Sequence, residues 1–459
     1  MAERFEIVEK ALRQMLEDKK YNTLRDILIT MNPSDIAAVF AGLKDEKIPV
    51  MFRLLTKELA AETFVEMEPD DQELLIRGFS DNELKEVLDE LYVDDAADLV
   101  EEMPANVVKR ILKQADPEMR SAINQILRYP EYSAGSIMTT EYVSLRPTMT
   151  VEEAILRIRR QGIDKETIYT CYVTAKDRTL IGMVTVKDLL LAPDDEMTIQ
   201  ELMITNLIFV STQTDQEDVA RMFSKYNFLA LPVVDGEGRM VGIVTFDDAM
   251  DVMEEEATED MELMSGMTPS EKPYLKSTPF DLFKNRIPWL MLMMVSATFT
   301  GLIMTAFEDA LAAQIALSAF IPMLMGTGGN SGSQSSVTVI RGLSLGEIQF
   351  RDIGHVLWTE LRTALLCGVA LAVVCFGKIF LVDHLLFNNP DVTLAVDLVV
   401  CCALCVTVVL AKIVGCLLPI GAKALKLDPA VMASPFISTI VDALSLLVYF
   451  LFANWILGI

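Results

Sequence analysis

The chain has 459 residues, 52% of them hydrophobic, yet 66 acidic against 39 basic side chains leave a net charge of −27. Charge and apolarity occupy different segments: residues 280–459 hold 11 acidic and 9 basic side chains, leaving 55 acidic and 30 basic in residues 1–279. An acidic half before an apolar half excludes a simple soluble enzyme, and the lack of a basic face in the sequence argues against nucleic acid.

The opening MAERFEIVEKALRQMLEDKK is charged and amphipathic. Having no apolar signal core, it predicts a cytosolic N-terminus. Through residues 1–130 apolar positions recur at helical spacing, as in Ile7, Ala11, Met15 and in Leu84, Val87, Leu88, Leu91, which predicts an all-α domain of short helices. Asn32-Pro33-Ser34-Asp35, Pro69-Asp70-Asp71 and Asp116-Pro117-Glu118 mark helix starts, since their side chains or proline rings suit the first turn.

Residues 131–253 contain an internal repeat, about 136–193 and 200–253. Ile137-Met138-Thr139 through Gly182-Met183-Val184-Thr185-Val186-Lys187-Asp188 returns as Leu202-Met203-Ile204 through Gly242-Ile243-Val244-Thr245-Phe246-Asp247-Asp248. Short β-branched runs alternate with helical periodicity, so each unit is expected to be α/β. Residues 254–279 form an acidic connector, beginning with Glu254-Glu255-Glu256-Ala257-Thr258-Glu259-Asp260 and expected to start as a helix.

Residues 280–459 are expected to be an all-α domain of five membrane helices, about 287–307, 315–341, 356–382, 394–418 and 430–457, each near the ~20 residues a bilayer core requires. Lys284, Arg286, Arg341, Arg351, Lys423 and Lys426 fall on one side of this topology, and Glu308, Asp309, Asp383 and Asp391 on the other. The positive-inside rule then makes the N-terminal half cytosolic and the C-terminus extracytoplasmic. Of seven cysteines only Cys171 lies in the acidic half, so no disulfide framework or paired CxxC metal site is expected.

Two membrane features carry chemistry. The second apolar run is broken by Gly326-Thr327-Gly328-Gly329-Asn330-Ser331-Gly332-Ser333-Gln334-Ser335-Ser336, which suits a small-residue packing seam or a wet cavity. Asn330 and Gln334 exceed what packing alone requires. Asp442 falls deep in the fifth run, where a carboxylate must be hydrated, paired (with Lys412, or with a serine or threonine) or bound to a cation. Mg²⁺ fits such a residue, because it prefers oxygen ligands and is held by few carboxylates through retained waters.

The two repeats resemble a cystathionine-β-synthase (CBS) domain pair, and the whole order of domains is similar to the MgtE-type magnesium channels. The motifs that carry this resemblance are Gly326-Thr327-Gly328-Gly329-Asn330 with Gly332 and Gln334, Asp428-Pro429-Ala430, Ser434-Pro435, and Asp442. It implies a homodimer in the cytoplasmic membrane whose fifth helices line a pore, with Asp442 at its selectivity site and Asn330 and Asp428 as further pore positions. It also implies regulatory Mg²⁺ ligands at Glu62, Asp94, Asp98, Asp215, Glu217, Asp248, Asp251, Glu256, Glu259 and Asp260; one acid of the family is Asn227 here.

Adenine nucleotide (ATP) binding is a second implication, at Thr185, Asp188, Phe228, Thr245 and Asp248, although each Thr-x-x-Asp equally suits a helix cap. The expected function is an Mg²⁺-selective channel closed by cytosolic Mg²⁺ on its acidic surfaces. The rival is a secondary carrier exchanging or co-transporting a divalent cation. His355 and His384 sit near membrane boundaries, which disfavours a membrane-embedded histidine proton relay. No nucleophile–base constellation indicates an enzyme.

Overall fold

The computed structural model describes residues 2–270, 274–387, 392–432 and 434–458. Asp391 and the side chain of Ser434 lie outside the described residues. Met1–Met253 and Glu254–Ile459 are two compact units.

In the first unit, short helices run from Ala2–Glu17 to Pro117–Ile126. Their starts are fixed locally: Asn32 accepts from the Ser34 N–H, and Asp116 accepts from the Met119 N–H. After the first, each of these helices has at most ten residues, too few to persist alone. One apolar core holds them, built on Leu24, Ile36, Phe40, Phe64, Leu84 and Ile111. Helix α1 (Val93–Glu102) buries Ala96, Ala97 and Leu99 in that core.

The repeats follow as two three-stranded sheets. The first contains β1 (Tyr142–Leu145), crossover helix α2 (Val151–Gln161), β2 (Thr167–Thr174) and β3 (Leu180–Thr185), then helix α3 (Val186–Leu190). The second contains β4 (Val210–Ser211), α4 (Gln216–Tyr226), β5 (Ala230–Val234) and β6 (Met240–Thr245). In each sheet the first two strands are parallel and the last two antiparallel.

The repeats interlock. Thr139 bridges to Ile243 of the second repeat, and Ile204 bridges to Met183 of the first. Gly182 and Gly242 of the repeated motif permit this approach, since a Cβ on Gly242 would lie 2.6 Å from the Thr139 carbonyl oxygen. Asn227 adopts a left-handed φ of 55° that ends α4, a conformation asparagine tolerates better than most residues.

Helix α5 (Phe246–Met264) contributes residues to both units. The second unit is helical: α6 (Pro279–Ala306), α7 (Ile321–Ser344), α8 (Ile353–Lys378), α9 (Leu394–Ala424) and α10 (Ser434–Leu457). Among the described residues four spans are long and apolar enough to cross a membrane: Pro279–Ala306, Phe350–Leu386, Leu394–Ala424 and Pro429–Leu457. The remaining expected span, about 315–341, corresponds to α7, whose glycines and serines dilute its hydropathy.

Helix α7 runs continuously through residues 326–336, the stretch that breaks the apolar run. Its glycines bring neighbouring helices close: a Cβ on Gly415 of α9 would lie 2.2 Å from the Gly332 carbonyl oxygen, and one on Gly329 would lie 3.2 Å from Ser438 Oγ. Tertiary packing offsets the low helix propensity of this segment.

Candidate metal centres

Carboxylates converge inside the first unit. Asp94, Asp95 and Asp98 stand on α1. Glu141 precedes β1 and Glu166 precedes β2, and the Glu166 N–H donates to the Glu141 carbonyl at 3.0 Å. Asp247 and Asp248 open α5. One carboxylate oxygen each from Asp94, Glu141 and Glu166 lie within 4.8 Å of one another.

This grouping is electrostatically unfavourable by itself. Asp94 is 6% exposed, and among the described residues no lysine or arginine forms an ion pair with Asp94, Asp95, Asp98 or Asp248. Burial, then the Asp95 charge, raises Asp94; burial, then Asp94, raises Asp248. Burial with repulsion from Asp248 and Asp247 pushes Asp95 up to about 7. Asp98 is pushed to about 8 by burial, then Asp94 and Asp248. Glu166 is pushed to about 9 by burial, then the same two acids.

The donor set suits a hard divalent cation. All its members are oxygens, and Asp94 Oδ1 and Glu166 Oε2 are buried without a hydrogen-bond partner. A bound cation would offset both the repulsion and the missing partners.

Asp94, Asp98 and Asp248 are thus brought together. Asp95, Glu141, Glu166 and Asp247 join them without having been singled out in the sequence. Glu62 is exposed on its helix. Asp215 caps α4, accepting from the Glu217 N–H at 3.0 Å, and Glu217 pairs with Arg221. Asp251 is exposed, while Glu256 and Asp260 are partly buried on α5.

The nucleotide candidates are accounted for locally. Asp188 N–H donates to Thr185 Oγ1 at 3.1 Å and Thr185 N–H to Asp188 Oδ2 at 3.1 Å, a closed helix cap. Thr245 Oγ1 likewise donates to Asp248. Phe228 stacks on Tyr226 with ring centroids 5.4 Å apart.

In the second unit, Glu259 is raised by burial, then by the charges of Asp428 and Glu262. Asp428 accepts from the Ala430 N–H at 2.7 Å and shapes the entry to α10. Asp442 is partly buried on α10, between Ser438 one turn before and Ser445 one turn after. Those serines lie against Gly329 and Gly328 of α7. Asn330 and Gln334 are exposed on α7 and line a groove with Ser333, Val337 and Thr338.

Lys412 is not the partner of Asp442. Its Nζ donates to Ser335 Oγ at 3.1 Å and lies 3.8 Å from Glu360 Oε2. His384 Nε2 lies 2.8 Å from Asp397 Oδ2, a buried acid at the start of α9.

Comparison with known proteins gives the family. The family described as a divalent cation transporter matches residues 321–452, the MgtE intracellular N domain matches 31–132, and the CBS domain matches 134–195 and 199–255. The magnesium transporter MgtE of Thermus thermophilus is 36% identical over 97% of this chain and 98% of its own. That of Bacillus subtilis is 32% identical over 95% and 94%. The cytosolic domain of the Mg²⁺ channel MgtE, crystallised with ATP, is 39% identical with a TM-score of 0.51, covering 53% of this chain and 99% of that one. The chain therefore belongs to the MgtE family of magnesium transporters, which are not enzymes.

Proposed function

We propose that the chain is an Mg²⁺-selective channel of the cytoplasmic membrane, closed when cytosolic Mg²⁺ fills its carboxylate cluster. The observation that carries this reading is the gathering of Asp94, Asp98, Glu141, Glu166 and Asp248, with Asp94 buried and one oxygen each of Asp94, Glu141 and Glu166 within 4.8 Å of one another. Such a cluster repels itself, so Mg²⁺ has higher affinity for the arrangement that brings the acids together than for one that separates them. That differential affinity is what a ligand requires to shift a conformational equilibrium. Glu259 facing Asp428 supplies a second acidic locus in the unit that contains the membrane helices.

Permeation is assigned to Asp442 on the serine-bearing face of α10, in a homodimer whose two α10 helices line the pore, with Asn330 and Asp428 flanking the path. The C-terminus is extracytoplasmic in this arrangement. ATP, present in the structure of the related cytosolic domain, is a proposed ligand of the CBS pair through Thr185, Asp188, Phe228 and Thr245. A carrier mechanism draws support from the Lys412–Ser335–Glu360 network inside the membrane unit; unitary current steps distinguish a channel from it. Mg²⁺ flux into liposomes tests the permeation path: Asp442→Asn abolishes selective flux with the protein still folded, whereas normal selective flux contradicts the assignment.

A further inference from the structure

A cavity of about 480 Å³ in the first CBS repeat is lined by Arg146, Arg157, Arg160, Lys165 and Arg178, together with Thr174. Five cations on one cavity are unexpected where residues 1–279 hold 55 acidic and 30 basic side chains. Among the described residues none of the five forms an ion pair. Two are held in ways that favour anion capture. Arg146 Nη1 donates to the Thr174 carbonyl at 3.1 Å and to Thr174 Oγ1 at 3.3 Å, which orients the guanidinium. The buried Nε of Arg157 has no acceptor among the described residues.

The second repeat provides an internal control, because its backbone matches the first. Thr150 and Asp215 cap helices of 11 residues each, which aligns Arg157 with Met222 and Arg160 with Lys225. Leu145 pairs with Val173 as Val210 pairs with Val233, which aligns Arg146 with Ser211. Ala175 donates to the Thr179 carbonyl as Asp235 donates to that of Arg239, which aligns Arg178 with Gly238. Those two residues share a left-handed backbone, φ 72° and 76°. Glycine adopts that region freely and arginine does not. The fold therefore does not require these charges, and the first repeat carries an arginine where its backbone favours glycine.

We propose that this cavity binds a small polyanion bearing two or more phosphate groups. Forked guanidinium groups match phosphate oxygens in pairs, and several of them with a lysine match several negative charges. The site is separate from the nucleotide candidates, since Thr185, Asp188, Phe228, Thr245 and Asp248 do not line it.

The test is calorimetric titration of the full chain in detergent, in Mg²⁺-free buffer, with inorganic tripolyphosphate as the probe. Wild type binds one tripolyphosphate per chain. The double variant Arg157→Gln, Arg160→Gln weakens binding at least ~10-fold, as loss of two charge-assisted contacts requires. Arg178→Gly places glycine on a φ that suits it, so it keeps the melting temperature while weakening binding about three-fold or more. Lys225→Gln, at the aligned position of the second repeat, leaves binding unchanged. Absence of binding to wild type, unchanged affinity in folded Arg178→Gly and double variants, or equal weakening by Lys225→Gln would each overturn the proposal.

Discussion

The backbone N–H of Val93 donates to Glu141 Oε2 at 3.1 Å. One hydrogen bond thus ties the helix bearing Asp94, Asp95 and Asp98 to the segment entering β1, and it aims the acids of the helical domain at those of the CBS pair. Glu141 is at once a partner of that backbone and a member of the carboxylate triplet with Asp94 and Glu166, so the joint and the candidate cation site share an atom group.

Neutralising the cluster removes its cation ligands. Asp94→Asn, Asp98→Asn and Asp248→Asn together are expected to abolish the protection from trypsin that Mg²⁺ gives the first unit of wild type. Wild-type unfolding should be stabilised by Mg²⁺, by about 2.7 kcal/mol at a hundredfold excess over Kd. The triple variant should gain well under half of that, as read from thermal melts with and without Mg²⁺.

The pH dependence has a defined sign. Asp95, Asp98 and Glu166 are raised to about 7, 8 and 9, so the folded cluster holds protons that an unfolded chain has already released. Its stability without Mg²⁺ therefore falls as pH rises from the ordinary carboxyl range through these values. Mg²⁺ competes with the same protons, so its affinity for the first unit's cluster should rise by about tenfold or more between pH 6 and 9, with protons released on binding. Calorimetry in buffers of different ionisation enthalpy reads that release; a pH-independent affinity with no proton release contradicts the prediction.

The α7–α9 contact is sensitive to a single methyl group. Gly415→Ala drives a Cβ into the Gly332 carbonyl, 2.2 Å away, and should destabilise the membrane unit by about 1–3 kcal/mol. Gly421→Ala, with nothing within 4 Å of its Cβ position, should be neutral or slightly stabilising because alanine favours helix. Thermal unfolding in detergent compares the two.

Much of the fold was legible because local chemistry and tertiary structure agree. The repeat motif marks both sheets, and the cap residues Asn32 and Asp116 act where their positions in the sequence suggest. From sequence the polar stretch 326–336 suits a packing seam or a wet cavity, and in the fold its glycines pack against α9 and α10. Asp94, Asp98 and Asp248 are implied by the resemblance to the MgtE-type channels, whereas Glu141 and Glu166 reach the cluster only through the pairing of the segments before β1 and β2. No spacing relates those segments to α1. Lys412 shows the same limit: its charge within the apolar half makes it a possible partner for Asp442, and helix packing gives it to Ser335 and Glu360.

That buried network makes its own prediction. Lys412 is 5% exposed, and Ser335 Oγ donates to Glu360 Oε2 at 2.8 Å. Lys412→Met leaves Glu360 without its cation and should cost about 3–5 kcal/mol. Adding Glu360→Gln should recover at least ~1 kcal/mol of that loss, since the two substitutions share one interaction. A double-mutant cycle of detergent melts reads the coupling.

The central claim is that Mg²⁺ on the carboxylate cluster closes a conducting path. Unitary currents in planar bilayers, recorded at low and high cytosolic Mg²⁺ for wild type and the Asp94→Asn, Asp98→Asn, Asp248→Asn variant, test it most directly. The account predicts discrete current steps whose open probability collapses at high Mg²⁺ in wild type but persists in the variant, with unchanged unitary conductance. Equal Mg²⁺-dependent closure in both proteins, or transport without unitary steps, would contradict it.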